Sequence, residues 1–226
     1  DKMFSKAGMY WEPGVLDMLS IKLIHGSPET ALKDPHSILL SQTVSSAYFG
    51  DSNPVGQTMR VNNQSDVKVT GVYEDLPYNS NFRTMTWIMP WDLYIRENTW
   101  IKSMEDPWGS NFTQTWVQLA DHADMQQVSD KIVNVKFNKL NENEKKYKPE
   151  VFLHPMSKWH LYSEFKEGKN TGGRIEFVWM FGVIGVFVLL LACINFMNLS
   201  TARSEKRAKE VGIRKSIGSM RAQLVS

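Results

Sequence analysis

Charge and apolarity divide this chain sharply at one place. No charged residue lies between Glu176 and Arg203, and Phe177–Leu199, FVWMFGVIGVFVLLLACINFMNL, draws 14 of its 23 residues from Leu, Ile, Val and Phe. At about 1.5 Å rise per residue the stretch makes a helix roughly 35 Å long, enough to cross a hydrocarbon layer of about 30 Å with some tilt. Its apolar side chains favour insertion by on the order of 4 to 8 kcal/mol before the polar ones are counted. A buried helix of a soluble domain is the alternative, but such helices seldom run this long without a polar face. The pattern predicts a membrane span. The helix is expected to continue to about Arg207, with Glu205 and Lys209 a favourable pair four residues apart. Ile213, Ile217, Met220 and Leu224 then make an apolar stripe, and Gly218-Ser219 reads as a stop and a new N-cap. This predicts a short amphipathic helix at the membrane face.

Upstream, the periods are short and mixed. Lys2–Tyr10 and Ser20–Ile24 read as strands around a helical turn at Pro13–Leu19, which proline can open. Ser37–Leu40 reads as a strand, and Ser41 can cap a helix through Phe49 that ends at Gly50. Gln57–Val61 and Asp66–Tyr73 are strands around the turn formers Asn62–Ser65. Thr84–Met89 is a further strand, and Trp91–Met104 is helical. Phe112–Ala120 alternates as a strand, Asp121 or Asp124 caps a helix over Met125–Leu140, and Glu150–His154 is another strand. The sum is an α+β region: two split strand–helix–strand halves around an inserted β-rich lobe, then a polar approach, Ser157–Gly173, to the span.

Charge fixes the orientation. After Leu199 there are 7 basic and 2 acidic residues, a net of +5, whereas the rest holds 19 basic and 22 acidic, a net of −3. The overall +2 hides this asymmetry. Basic residues hard against a span stay on the cytoplasmic side, which puts residues 1–173 outside. A nucleic-acid-binding tail is the rival reading of the basic run, and its position beside a span argues against it. Eight Trp, seven Tyr and eleven Phe mark the outside region as folded rather than a disordered stalk. Asp1–Ser20 lacks the uninterrupted apolar region of a signal peptide, so an export signal or an earlier span is expected ahead of it, and more chain after Ser226.

No catalytic chemistry stands out. The sequence has no phosphate-binding G-x-x-x-x-G-K-[ST] loop and no G-x-S-x-G elbow. His25, His36, His122, His154 and His160 lack metal-ligand spacing, and Cys193 lies inside the span, excluding an intrachain disulfide. Asp121 and Asp124 suit helix caps better than an acid/base pair. No catalytic residue, metal site or cofactor is therefore expected. Asn195 and Asn198 are the span's two amides, placed to hydrogen-bond neighbouring helices or to sit at headgroup level. Trp87, Trp91, Trp100, Trp108 and Trp116 suit either a core or a binding surface for lipid or peptide.

Ile194–Val225, INFMNLSTARSEKRAKEVGIRKSIGSMRAQLV, resembles the end of the second span and first cytoplasmic loop of FtsX-like/MacB-like ABC transporter permeases. Leu19–Ser41, Tyr48–Val61 (YFGDSNPVGQTMRV) and Val69–Pro77 (VTGVYEDLP) resemble the same family's periplasmic core, in the form common in Bacteroidetes-type bacteria. The resemblance implies a porter lobe at about 1–26 and 111–156, a sabre lobe at about 27–110, a transmembrane helix at 174–202 and a coupling loop at 203–226. It also implies a bacterial inner-membrane location with residues 1–173 in the periplasm, and a permease of four spans, of which this chain holds the second. The implied partners are a cytoplasmic ABC ATPase subunit, a second permease copy, membrane lipid, and an envelope adaptor or outer-membrane channel. Glu210, Gly212, Ile213, Arg214, Lys215 and Gly218 match the family's E-(V/I)-G-(I/V)-R-K-x-x-G loop, which implies ATPase contact. The implied activity is mechanotransmission for export or extraction of a hydrophobic or peptide-like cargo. The alternative is an FtsX-like regulatory module that controls a cell-wall hydrolase or senses antimicrobial peptides.

The orientation has a direct test. Cysteines placed in the Asn62–Ser65 turn should react with an impermeant thiol reagent added from outside, and one at Ser216 should not; the reverse pattern overturns it.

Overall fold

The computed structural model describes residues 5–218 of the 226-residue chain. They form two compact units: residues 5–123 with Lys136–Lys148, and Asp124–Val135 with residues 149–218. The architecture is mixed α+β with one long C-terminal apolar helix.

The first unit is built on a six-stranded sheet of β1 (Met9–Trp11), β2 (Leu23–Gly26), β3 (Ser37–Ser41), β4 (Thr58–Val61), β5 (Ser65–Tyr73) and β6 (Trp87–Pro90). The strand order is β1-β6-β3-β5-β2, with β4 also paired to β5. The first strand–helix–strand unit, β1, α1 (Val15–Met18) and β2, is thus split, its two strands ending up at opposite ends of the sheet. β3 lies between β5, parallel to it, and β6, antiparallel, so all five of its residues are buried. That burial on both faces explains its continuous apolar run. In β5 the pattern alternates from Asp66 to Val69 and then turns continuously buried, because Thr70 bulges out of register with β3. The Thr70 hydroxyl donates to the carbonyl of Ala31.

Ile38, Leu40, Val44, Val67, Val69, Met89 and Leu93 form the core, each contributing about 1.5–3 kcal/mol by leaving water. Ser41 accepts from the Val44 amide and starts α2 (Gln42–Phe49). Asp75 supports the same end, taking the Thr43 amide at 3.1 Å and its hydroxyl at 2.5 Å. Tyr73 is fully buried with its hydroxyl donating to Met85 O at 2.8 Å. Burial, and then the charge of Asp75, push its pKa above the ordinary phenol range. Gly26 crosses Gly71 in the β2–β5 ladder. At φ +93° an added Cβ on Gly26 would run into the Thr70 carbonyl, and one on Gly71 would come within 2.8 Å of His25 O. Only glycine permits this approach.

Several sequence expectations give way to hydrogen bonding. The helix expected over Trp91–Met104 is two, α3 (Trp91–Glu97) and α4 (Thr99–Lys102), because Asn98 leaves helical geometry at φ −106°, ψ 77°. Phe112–Ala120 forms no strand. Alternation assigns side chains to faces, but a strand also needs a paired neighbour. Here Phe112 is held by rings instead, edge-on to Trp100 at 4.8 Å.

In the second unit, the helix expected over Met125–Leu140 stops early as α5 (Met125–Ile132), although Asp124 caps it through the Gln127 amide at 2.8 Å. The Val133 carbonyl, which would accept from Phe137 in a longer helix, accepts from Val151 at 3.0 Å. The strand expected at Glu150–His154 is absent for a related reason: the Leu153 amide is taken by Ser129 Oγ at 2.7 Å. In the first unit, Asn141 caps a short helix, α6 (Glu142–Lys145). Within the polar approach lies an unforeseen hairpin, β7 (Glu164–Lys166) and β8 (Lys169–Gly172). Glu167 and Gly168, both at positive φ, make its two-residue turn.

Two substitutions test the sheet. Gly26→Ala should destabilise by about 1–3 kcal/mol through backbone strain, and Tyr73→Phe by about 1 kcal/mol through the orphaned Met85 carbonyl. Chemical denaturation of the purified chain in detergent reads both.

Candidate functional site

The predicted span and loop residues all lie on, or just beyond, one helix. α7 (Ile175–Ser216) runs 42 residues without a break, passing the point near Arg207 where an end was expected. Nothing in Ser200–Ser216 stops it: Ala, Arg, Lys and Glu are strong helix formers, and lone Gly212 costs only about 1 kcal/mol. Gly218, at φ +92°, follows the C-cap and ends it, as its place in the sequence predicts. A separate amphipathic helix therefore does not start at Ile213. That residue sits on the last turns of α7, and Met220, Leu224 and the proposed cap at Ser219 fall outside the described residues. No residue of α7 is buried. It is the one helix, among the described residues, long and apolar enough to cross a membrane.

Asn195 and Asn198 are one turn apart on α7 and both exposed. Glu210 and Arg214, four apart, share a face, while Gly212 and Lys215 point to the other side. Ile213 leaves 53% of its surface exposed between two charged turns. The six motif residues are thus spread around the helix end and do not converge on one pocket.

The first unit holds a cavity of about 510 Å³ that the sequence did not single out. Its walls are β1, the start of α1, Trp91 and the extended segment Phe112–Trp116. Successive residues Met9, Tyr10, Trp11 and Glu12 all line it, so it runs along the strand rather than against one face. Trp11 stacks on Trp116 at 4.5 Å between ring centroids, and Trp91 stacks on Tyr94 at 4.9 Å. Tyr10 packs edge-on against Trp87 at 5.5 Å. Burial first, then the charge and hydrogen bond of Glu97, raise the Tyr10 pKa to about 12. Of the five tryptophans flagged by the sequence, Trp91 and Trp116 line this cavity, and Trp108 lines a neighbouring one of about 360 Å³. Trp87 anchors the chain start by donating to Lys6 O at 2.9 Å, and Trp100 donates to Asn98 at 3.2 Å. Tyr10, Trp11 and Glu12 escaped notice because their shared wall forms only when residue 112 onward returns beside β1.

The MacB-like periplasmic core domain matches residues 4–135, more than half of the chain, and the chain belongs to that family. Among solved structures, it is similar to a permease-protein domain from Porphyromonas gingivalis, at 20% identity and a TM-score of 0.43, covering 62% of this chain and 57% of that one. It is also similar to the periplasmic region of MacB from Actinobacillus actinomycetemcomitans, at 15% identity and a TM-score of 0.40, covering 60% and 61%. The chain thus spans somewhat more than half the length of these structures. No curated protein matches.

The half-buried phenol of Tyr10 gives a pH signature. Its raised pKa means that the neutral form stabilises the fold fully below pH 10 and that this contribution is lost as pH rises to about 12. An ultraviolet titration of the wild-type chain minus that of Tyr10→Phe should show one phenol ionising near pH 12 rather than 10.

Proposed function

We propose that this chain is part of the permease subunit of an ABC transporter, anchored in the bacterial inner membrane with residues 1–173 in the periplasm. The observation that carries the reading is α7, a single helix leading from the family's periplasmic domain through a charge-free stretch into a basic end. At about 1.5 Å per residue it is roughly 63 Å long, so about half projects beyond a hydrocarbon layer of about 30 Å. A rod of that kind carries displacement rather than solute. Closure of a nucleotide-consuming ATPase on one side need only favour one of two helix positions for the outside domain to respond.

In this reading Glu210, Gly212, Ile213, Arg214, Lys215 and Gly218 form the surface gripped by the ATPase, and ATP hydrolysis belongs to that partner. Asn195 and Asn198 hydrogen-bond neighbouring spans, for roughly 1 kcal/mol each. Residues 1–26 with 111–156 act as the porter-like lobe, and 27–110 as the inserted lobe. A second permease copy and an envelope adaptor or channel complete the machine, which exports or extracts a hydrophobic or peptide-like cargo.

Two variants of the full-length permease, co-purified with its ATPase, test the coupling. Arg214→Glu should reduce permease-stimulated ATP hydrolysis about tenfold by breaking an interfacial charge contact, with the thermal stability of the permease unchanged. Ala208→Pro should keep the ATPase bound but uncouple it from the outside domain, because proline in a helix interior costs about 3 kcal/mol and kinks the rod. Unaltered coupling in both variants overturns the mechanism.

A further inference from the structure

We infer that the cavity beside β1 binds a small organic cation carrying an apolar body. Five of its lining residues are aromatic: Tyr10, Trp11, Trp91, Phe112 and Trp116. Ring faces carry negative charge density and attract ammonium groups, most strongly where water is excluded. Among the described residues, Glu12 is the one lining residue with a formal charge, and no Lys, Arg or His lines the cavity. Tyr10 stays neutral there, since its hydroxyl faces Glu97 and its ring is packed against Trp87 and Tyr94.

Glu12 is exposed; its backbone carbonyl accepts from the Val15 amide at 3.1 Å, while its carboxylate has no hydrogen-bond or ion-pair partner among the described residues and is available to a ligand. The remaining polar groups, Thr113, Gln114 and Thr115, can take hydrogen bonds but supply no charge. The neighbouring smaller cavity differs in kind. Its cation, Lys136, donates to Asn111 Oδ1 at 2.5 Å, and its walls include Ser110 and Asn111. An anion entering the larger cavity would meet Glu12 and the ring faces, both repulsive. A neutral hydrocarbon would fill the space and leave Glu12 unused. A cation uses both features, and a volume of about 510 Å³ falls in the range of small-ligand sites.

This inference is independent of the coupling reading, because binding can be measured without an ATPase. The full chain in nanodiscs of zwitterionic lipid would be titrated with phenylpropyltrimethylammonium, followed by tryptophan fluorescence and by calorimetry against empty nanodiscs. Phenylpropanol and phenylpropanesulfonate serve as the neutral and anionic counterparts. The cation should bind about tenfold more tightly than either counterpart, the advantage expected of a ring-lined, partly desolvated site. Glu12→Gln, at an exposed position, should remove most of that preference without changing thermal stability. Trp116→Leu should weaken the cation more than phenylpropanol. Equal binding of all three probes, no binding beyond empty nanodiscs, or unchanged cation affinity in Glu12→Gln would overturn it.

Discussion

Leu191 and Phe196 leave 66% and 72% of their surfaces uncovered on α7, and the apolar residues around them are exposed as well. Water would penalise such a helix at about 25 cal/mol for each Å² of apolar surface, whereas lipid accepts it. Lipid in turn offers no hydrogen-bonding partner, so every backbone group in the apolar stretch must be satisfied within the helix itself. These two demands, apolar side chains outward and backbone bonds inward, account for an unbroken helix through Leu199. Strong helix formers then carry it on to Ser216.

The first unit answers the opposite demand. β3 is buried completely because it has a strand on each side, and the close crossing of Gly26 and Gly71 lets β2 lie against the far half of β5. β4 occupies the near half of that same edge. One long strand thus serves two partners end to end, and Thr70, out of register with β3, lies between the two stretches. At the other end of the sheet, three-residue β1 is flanked by a strand on one side only, and the aromatic cavity runs along it. A short edge strand covered by rings rather than by another ladder leaves room for a ligand that a complete sheet would fill.

The match to the MacB-like periplasmic core family covers residues 4–135, which hold the whole six-stranded sheet. The family's domain accounts for the sheet, and α7 follows it in the chain as the one described helix long and apolar enough to cross a membrane. Glu210 and Arg214 sit on one face at the far end of that helix, with Ile213 exposed beside them.

The span, the Ser41 and Asp124 caps, the β4–β5 hairpin and the stop at Gly218 could all be read from the residues alone. Each depends on neighbours within a few positions: an uncharged run, a hydroxyl or carboxylate ahead of free amides, or a turn former between alternating stretches. The failed strands at Phe112–Ala120 and Glu150–His154 depend on partners far along the chain. Ser129 and Val133 took the amides of Leu153 and Val151, and Trp100 took the ring of Phe112. The cavity is of the same kind, since Glu12 and Trp116 meet only through the return of the chain to β1. Local chemistry therefore determined what each segment could become. Tertiary structure decided which donors, acceptors and ring faces were already taken, because a hydrogen bond or an aromatic contact made once is no longer free for the partner that the local pattern anticipates.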